Sequence, residues 1–276
     1  MTTRRGFTLI ELSIVLVIIG LIVGGVLVGQ DLIRSAEVRA QVTQIEKFNQ
    51  AVNTFRGKFG YLPGDLLNTA ASQFGFPAGT NCNGTTSRRD GNNVLDGWTG
   101  QQITQRNENL LFWQDLSSPQ GGNLIEGQFP ASGASVPGCS GVTPVFTPTV
   151  ASEYFPSAKI GRGNFIYVYD VNSLNWYGLS AITTSDTQGI ITSSTTIPVM
   201  QAYNMDKKVD DGLPTTGSVQ AFYINGTFGA GSQSNAPNTA TAGGTAASCY
   251  DTTTSTYSVT PNGGAGANCA MSFQFQ

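Results

Sequence analysis

The chain has 276 residues, of which 39% are hydrophobic, so it can bury a core as one large domain or two small ones. Only 11% are charged, well below the usual quarter, and 34 glycines with abundant Thr, Ser and Asn fill the difference, a composition suited to a cell exterior. The formal charge of −3, which would become about −5 if Arg4 and Arg5 left with a leader, excludes a general basic field for nucleic acid, although a local patch stays open.

Residues 1–6, MTTRRG, are short, polar and positive. From Phe7 to Val28 the chain is apolar except for Glu11 and small polar residues, and about 22 residues at 1.5 Å each give roughly 33 Å, enough to cross a hydrocarbon core. The two arginines would stay cytoplasmic and the remainder be exported. An ordinary secretory signal would place a small-residue cleavage site after the apolar run, whereas this run passes directly into a helical pattern. Val38, Ile45, Val52 and Phe59 recur every seven residues, Val42, Phe48 and Phe55 widen the stripe, and Glu37, Arg39, Glu46, Lys47 and Arg56 fall to other faces. One helix from about Phe7 to Arg56 is predicted, stopped by Gly57, Gly60 and the turn-forming YLPGD at 61–65.

Residues 6–13, GFTLIELS, resemble the processing and assembly motif of type IV prepilins and of the related pseudopilins of type II secretion. The close resemblance covers roughly residues 4–65. It implies cleavage between Gly6 and Phe7 by a membrane prepilin peptidase, methylation of the Phe7 amine, and a role in assembly for Phe7 and Glu11. It also implies partners: further copies of the chain in a homo- or hetero-polymer, and an inner-membrane assembly platform with a cytoplasmic ATPase. A carboxylate in an apolar run costs a few kcal/mol unless neutralised or paired. The Phe7 ammonium lies about 6 Å from Glu11 along one straight helix, so a pair within the subunit is open. The family reading pairs Glu11 with a neighbour's amine instead, and a third reading has it reach the membrane surface. Gly20, Gly24, Gly25 and Gly29 form two GxxxG spacings that allow close helix packing, or loosen the helix. The family often has a proline in this half; here the first is Pro63.

Beyond Pro63, Glu108–Ser117 is the one further segment that reads as an amphipathic helix, with Leu110, Leu111, Trp113 and Leu116 roughly on one side. Strands are expected at Asn164–Val171, Trp176–Ser180, Gly189–Met200 and Gly217–Ile224, forming an antiparallel sheet on the long helix. Residues 227–268 are rich in Gly, Thr, Ser, Ala and Asn and read as flexible. Cys82, Cys139, Cys249 and Cys269 have no CxxC spacing, and histidine is absent, which favours disulfides over zinc. Of three connectivities, Cys82–Cys139 with Cys249–Cys269 is favoured, and pilins tie a surface loop near the carboxyl terminus with such a bridge. Two acidic clusters have oxygen ligands in turns: Asp90, Asn92, Asn93 and Asp96, and Asp206, Asp210 and Asp211. The second set is the candidate calcium site, as calcium-bound loops occur in some pseudopilins; turn-shaping by Asp and Asn is the competing reading of both.

No cofactor beyond that calcium is expected. Without histidine there is no Ser-His-Asp or Cys-His arrangement, and no phosphate loop is present, so a non-enzymatic protein is expected. The expected architecture is an α+β pilin fold: a leader at 1–6, a transmembrane and filament-core helix at 7–29, its amphipathic continuation at 30–60, and an exported body at 61–276 with a disulfide-tied end. The expected function is that of a major or minor pilin, held in the inner membrane and then extracted into a filament for adhesion, motility or DNA uptake; nucleic acid is expected as a partner only in the last. The alternatives are a pseudopilin in a periplasmic pseudopilus and a single-pass anchored surface-binding protein that never polymerises.

Overall fold

A computed structural model describes residues 9–76, 89–95, 97, 108–130, 148–185, 190–226 and 233–275. Helix α1 (Leu9–Phe59) is unbroken for 51 residues, about 77 Å. Its heptad stripe forms the expected contact: Val38, Val42, Ile45, Phe48, Val52, Phe55 and Phe59 are all buried, while Arg39, Glu46, Lys47 and Arg56 are exposed. The helix ends where Gly60 takes a positive φ of 79°, its N–H donating to the Arg56 carbonyl at 2.8 Å.

Helices α2 (Asn68–Gln73) and α3 (Glu108–Ser117) follow. Helix α3 has the expected bounds but is not amphipathic, since every residue except Gln114 is buried. It runs through the middle of the body, with Trp113 meeting Phe48 of α1 at 5.0 Å between ring centroids. Gly64 fits beside it because a Cβ there would lie 2.4 Å from the Glu108 carbonyl.

Helix α4 (Pro148–Tyr154) leads to strands β1 (Asn164–Val171) and β2 (Leu174–Ser185), an antiparallel hairpin. Asn172 and Ser173 both take positive φ at its turn, the geometry that matches strand twist in two-residue hairpins. Tyr167 lies across from Gly178 and covers it: a Cβ on Gly178 would fall 2.1 Å from the ring.

The segment expected as one strand over 189–200 divides. Only β3 (Ile191–Ser194) is strand, and Val199 begins helix α5 (Val199–Val209). The β-branched run ends at Pro198, whose fixed φ serves as the cap of α5 and turns Val199, Ala202 and Met205 into a buried helical face. The expected strand 217–224 is also split, into β4 (Val219–Gln220) and β5 (Phe222–Ile224). Ala221 leaves the ladder at that point to donate to the Pro214 carbonyl and accept from the Ala236 N–H.

The described part of the tail corrects the flexible reading. It carries β6 (Gln233–Asn235), β7 (Asn238–Thr239), β8 (Tyr250–Asp251), β9 (Thr256–Tyr257), a 3-10 turn (Pro261–Gly264) and β10 (Met271–Gln274). Apolar periodicity is weak there because side chains do the fastening. Asp251 accepts from the Gly243 and Thr254 N–H groups and from the Thr254 and Thr256 hydroxyls, which hold its carboxyl down at about 2. Cys249 and Cys269 are buried and bonded, their Cα atoms 5.0 Å apart. Cys82, Cys139 and Asp96 lie outside the described residues.

The main sheet runs β1-β2-β10-β4, antiparallel throughout, with β3 paired to the end of β2. The α+β architecture is therefore a long amino-terminal helix whose second half is buried against a body built around an antiparallel main sheet, with a parallel β7–β8 pair in the tail and a disulfide near the carboxyl end.

Candidate functional site

The first half of α1 presents a surface that the body leaves uncovered. From Leu9 to Ile33 every large apolar side chain is at least half exposed. Such a surface is stable only in lipid or against other helices. Glu11 is the sole charge between Leu9 and Gln30, and it lies in the first turn, where a carboxylate also suits the helix dipole. Around Gly20, Gly24, Gly25 and Gly29 nothing approaches within 4 Å of where a Cβ would sit, and the helix does not loosen there. The two GxxxG pairs are thus open grooves on an unbroken helix. Gly6 and Phe7 lie outside the described residues.

The body grips the second half of this helix with polar contacts as well as apolar ones. Gln41 and Gln44 accept from the Ile160 and Lys159 N–H groups at 3.1 and 3.0 Å, and Gln44 donates to the Ser157 carbonyl. Gln201 of α5 donates to Glu37 at 2.7 Å and accepts from Arg162 at 2.6 Å. Gln41, Gln44 and Gln201 carry no apolar signal in sequence; the seven-residue spacing from Gln41 to Phe48 to Phe55 is what places Gln41 on the buried stripe.

The acidic residues shape loops. Asp206 is fully buried and accepts from the Gly212 N–H at 2.9 Å and the Tyr257 hydroxyl at 2.7 Å, tying α5 to β9. Asp210 accepts from the N–H groups of Ser218 and Val219, and Asp211 from the Leu213 N–H and the Thr216 hydroxyl. The three carboxylates come within 4.8 Å of one another. Burial, with some repulsion from Asp211 and Asp210, pushes Asp206 up to about 7 despite its hydrogen bonds.

The other cluster is assembled differently from its expected membership. Asp90 is brought within 4.8 Å of Asp65 and Glu108, two carboxylates the sequence did not single out. Asp65 accepts from the Gly91 and Asn93 N–H groups, both at 2.7 Å, so it clamps the 90–94 turn. Burial raises its carboxyl to about 6. Asn92 accepts from the Val94 N–H and donates its own N–H to Asp90, both turn-closing bonds.

The amino-terminal features coincide with an established pattern. Residues 1–27 match the family model described as the prokaryotic N-terminal methylation motif. No curated protein and no solved structure matches the chain. The bare apolar helix, its single early carboxylate and the glycine preceding Phe7 all fall inside or beside that match, and the chain accordingly carries the prepilin signature of type IV pilins and pseudopilins.

Proposed function

We propose that the chain is a structural subunit, a major or minor pilin, of a type IV pilus-like filament. It is processed after Gly6, methylated on Phe7, stored in the inner membrane and assembled through α1. The observation that carries this reading is the exposed apolar half of α1 with Glu11 as its lone charge, joined to a rigidly held second half. In lipid the surface is solvated by acyl chains; in a filament the same surface meets neighbouring copies, and Glu11 finds a neighbour's amine that fixes the axial register. Prepilin peptidase, the assembly platform and its ATPase are the partners this route requires. The disulfide-tied body and its size favour a pilus subunit over a pseudopilin.

The test is the amino-terminal sequence and mass of chain recovered from sheared surface filaments, with and without prepilin peptidase. A methylated Phe7 as first residue, obtained only with the peptidase, supports the reading. A chain that begins at Met1, or is cut beyond Val28 and found as a soluble monomer, refutes it.

A further inference from the structure

A groove of about 850 Å³ runs beside the second half of α1, from Arg39 to Thr54, which is about 22 Å of helix. Phe48 and Ala51 are buried in its α1 wall and Phe129 in the facing wall, where Leu124 and Ile125 stay half-buried. The rim is charged. Arg39, Lys47 and Lys159 are exposed along it, and Glu126 is the one acid among the lining residues. None of these four has an ion pair among the described residues. A groove that is apolar within and mostly cationic at its edge suits an apolar projection that carries a carboxylate.

The body carries such a projection just beyond the carboxyl end of α5. Val209 and Leu213 are 42% and 38% exposed, and Asp211, also exposed, lies between them in the chain. The turn that bears them is fastened from within. Gly212 takes a positive φ of 77° and gives its N–H to Asp206, while Asp211 accepts from the Leu213 N–H and the Thr216 hydroxyl. Apolar side chains held out by a fixed turn lose little freedom when they are covered, which lowers the cost of docking. A carboxylate has about four acceptor positions, so Asp211 can still take an ammonium. Lys208 is exposed beside Val209, and it has no ion pair among the described residues either.

We infer that this turn of one copy docks in the α1 groove of the next copy along the filament. Val209 and Leu213 cover Leu124 and Ile125, Asp211 meets Lys47 and Lys159, and Lys208 meets Glu126, so both signs of charge are matched. Groove and turn are different patches of one surface, which makes the contact head-to-tail. Repeated with a constant rotation and rise, such a contact builds an open helical array and not a closed dimer. The inference rests on the filament reading above and adds to it a contact between bodies.

The test uses the full chain in cells that assemble it, with Ile125→Cys and Leu213→Cys in the same copy. Mild oxidation of sheared filaments should give a ladder of dimers, trimers and longer species, because every copy then carries both halves of the contact. Either substitution alone should give none. Exchanging a charge pair checks the same contact without cysteine: Lys208→Glu should lower filament yield several-fold, and adding Glu126→Lys should bring it back close to wild type. No ladder from the double cysteine variant, a ladder from either single one, or no recovery of yield overturns the inference. Shielding of the Ile125→Cys thiol from a maleimide in the solubilised monomer also overturns it, since residues 131–147 of the same chain would then be the occupant. Wild-type cells that yield no filaments refute the filament reading itself, whereas filaments without the ladder refute only this contact.

Discussion

Arg89 and Asp115 face each other as a fork, Nη1 to Oδ2 and Nη2 to Oδ1, both at 2.8 Å, with neither side chain reaching solvent. The same Asp115 accepts from the Gly64 N–H at 2.7 Å. One carboxylate on α3 thus holds both the turn that ends α1 and the arginine from the 89–95 segment. Removing one partner strands a buried charge, so Arg89→Ala should cost about 3–5 kcal/mol, while Arg89→Met paired with Asp115→Leu should cost far less. Chemical denaturation of the detergent-solubilised chain measures both. A loss below 1 kcal/mol in Arg89→Ala would mean that this pair does not organise the region.

Stability should fall as pH rises. Asp65 and Asp206 keep their protons up to about 6 and about 7 in the folded chain, against 3.8 for an ordinary aspartate. A raised folded pKa means that the native state binds more protons between those limits, so stability is highest near pH 4 and is lost progressively through pH 6–7. The melting temperature should be higher at pH 5 than at pH 8. Asp206→Asn should flatten that slope, keeping a carbonyl acceptor for Gly212 or Tyr257. A slope unaltered in the variant would remove Asp206 as its source.

Replacing Cys249 and Cys269 together by Ala should destabilise the body by roughly 3 kcal/mol in the chain-entropy account of a loop of this length. Cys269 also pairs with Ile197 through reciprocal backbone bonds at 3.0 Å, so the bridge anchors the tail to the strand leading into α5. Thermal melts and protease sensitivity of residues 233–268 read the change; an unaltered proteolysis pattern would show the tail to be held by its side-chain bonds alone.

The loop around Asp206, Asp210 and Asp211 is closed by N–H and O–H donors from its own chain, so it should fold without calcium. Millimolar calcium is expected to leave the melting temperature within about 1 °C at neutral pH, as six donors of the chain already hold the three carboxylates in place. A rise of several degrees that disappears in Asp211→Asn would establish the cation site.

Glu11→Ala should be cleaved and methylated at the normal site yet be missing from sheared filaments, remaining in the membrane fraction. Immunoblots of both fractions decide it. Wild-type levels of the variant in filaments would deprive Glu11 of its assembly role.

What could be read from sequence follows from how each part is held. Helix α1 was legible from the seven-residue repeat of its apolar stripe and strand β1 from its run of β-branched and aromatic residues, and both appear where expected. Helix α5 was hidden because a β-branched run leads without a break to Pro198, and proline signals a turn as readily as a helix start. The folded tail was hidden because Asp251, Ser248 and Ser258 organise it by hydrogen bonds that leave no hydrophobic rhythm. Of the site residues, Glu11 stood out as a charge among apolar neighbours. Asp65 and Arg89 did not, since their partners lie 26 residues or more away.

The order of the main sheet sets the timing of the subunit's birth. Strand β10 lies between β2 and β4, so the middle of the sheet is contributed by residues 271–274. On the proposed pilin route α1 would enter the membrane first, and β2 would wait with Trp176 to Leu179 bare along one edge until those residues emerge. A bare edge invites pairing with the wrong chain. Each copy on that route would pass through an interval in which it is already tethered by α1 but not yet closed, and its safety would depend on how quickly the last strand arrives.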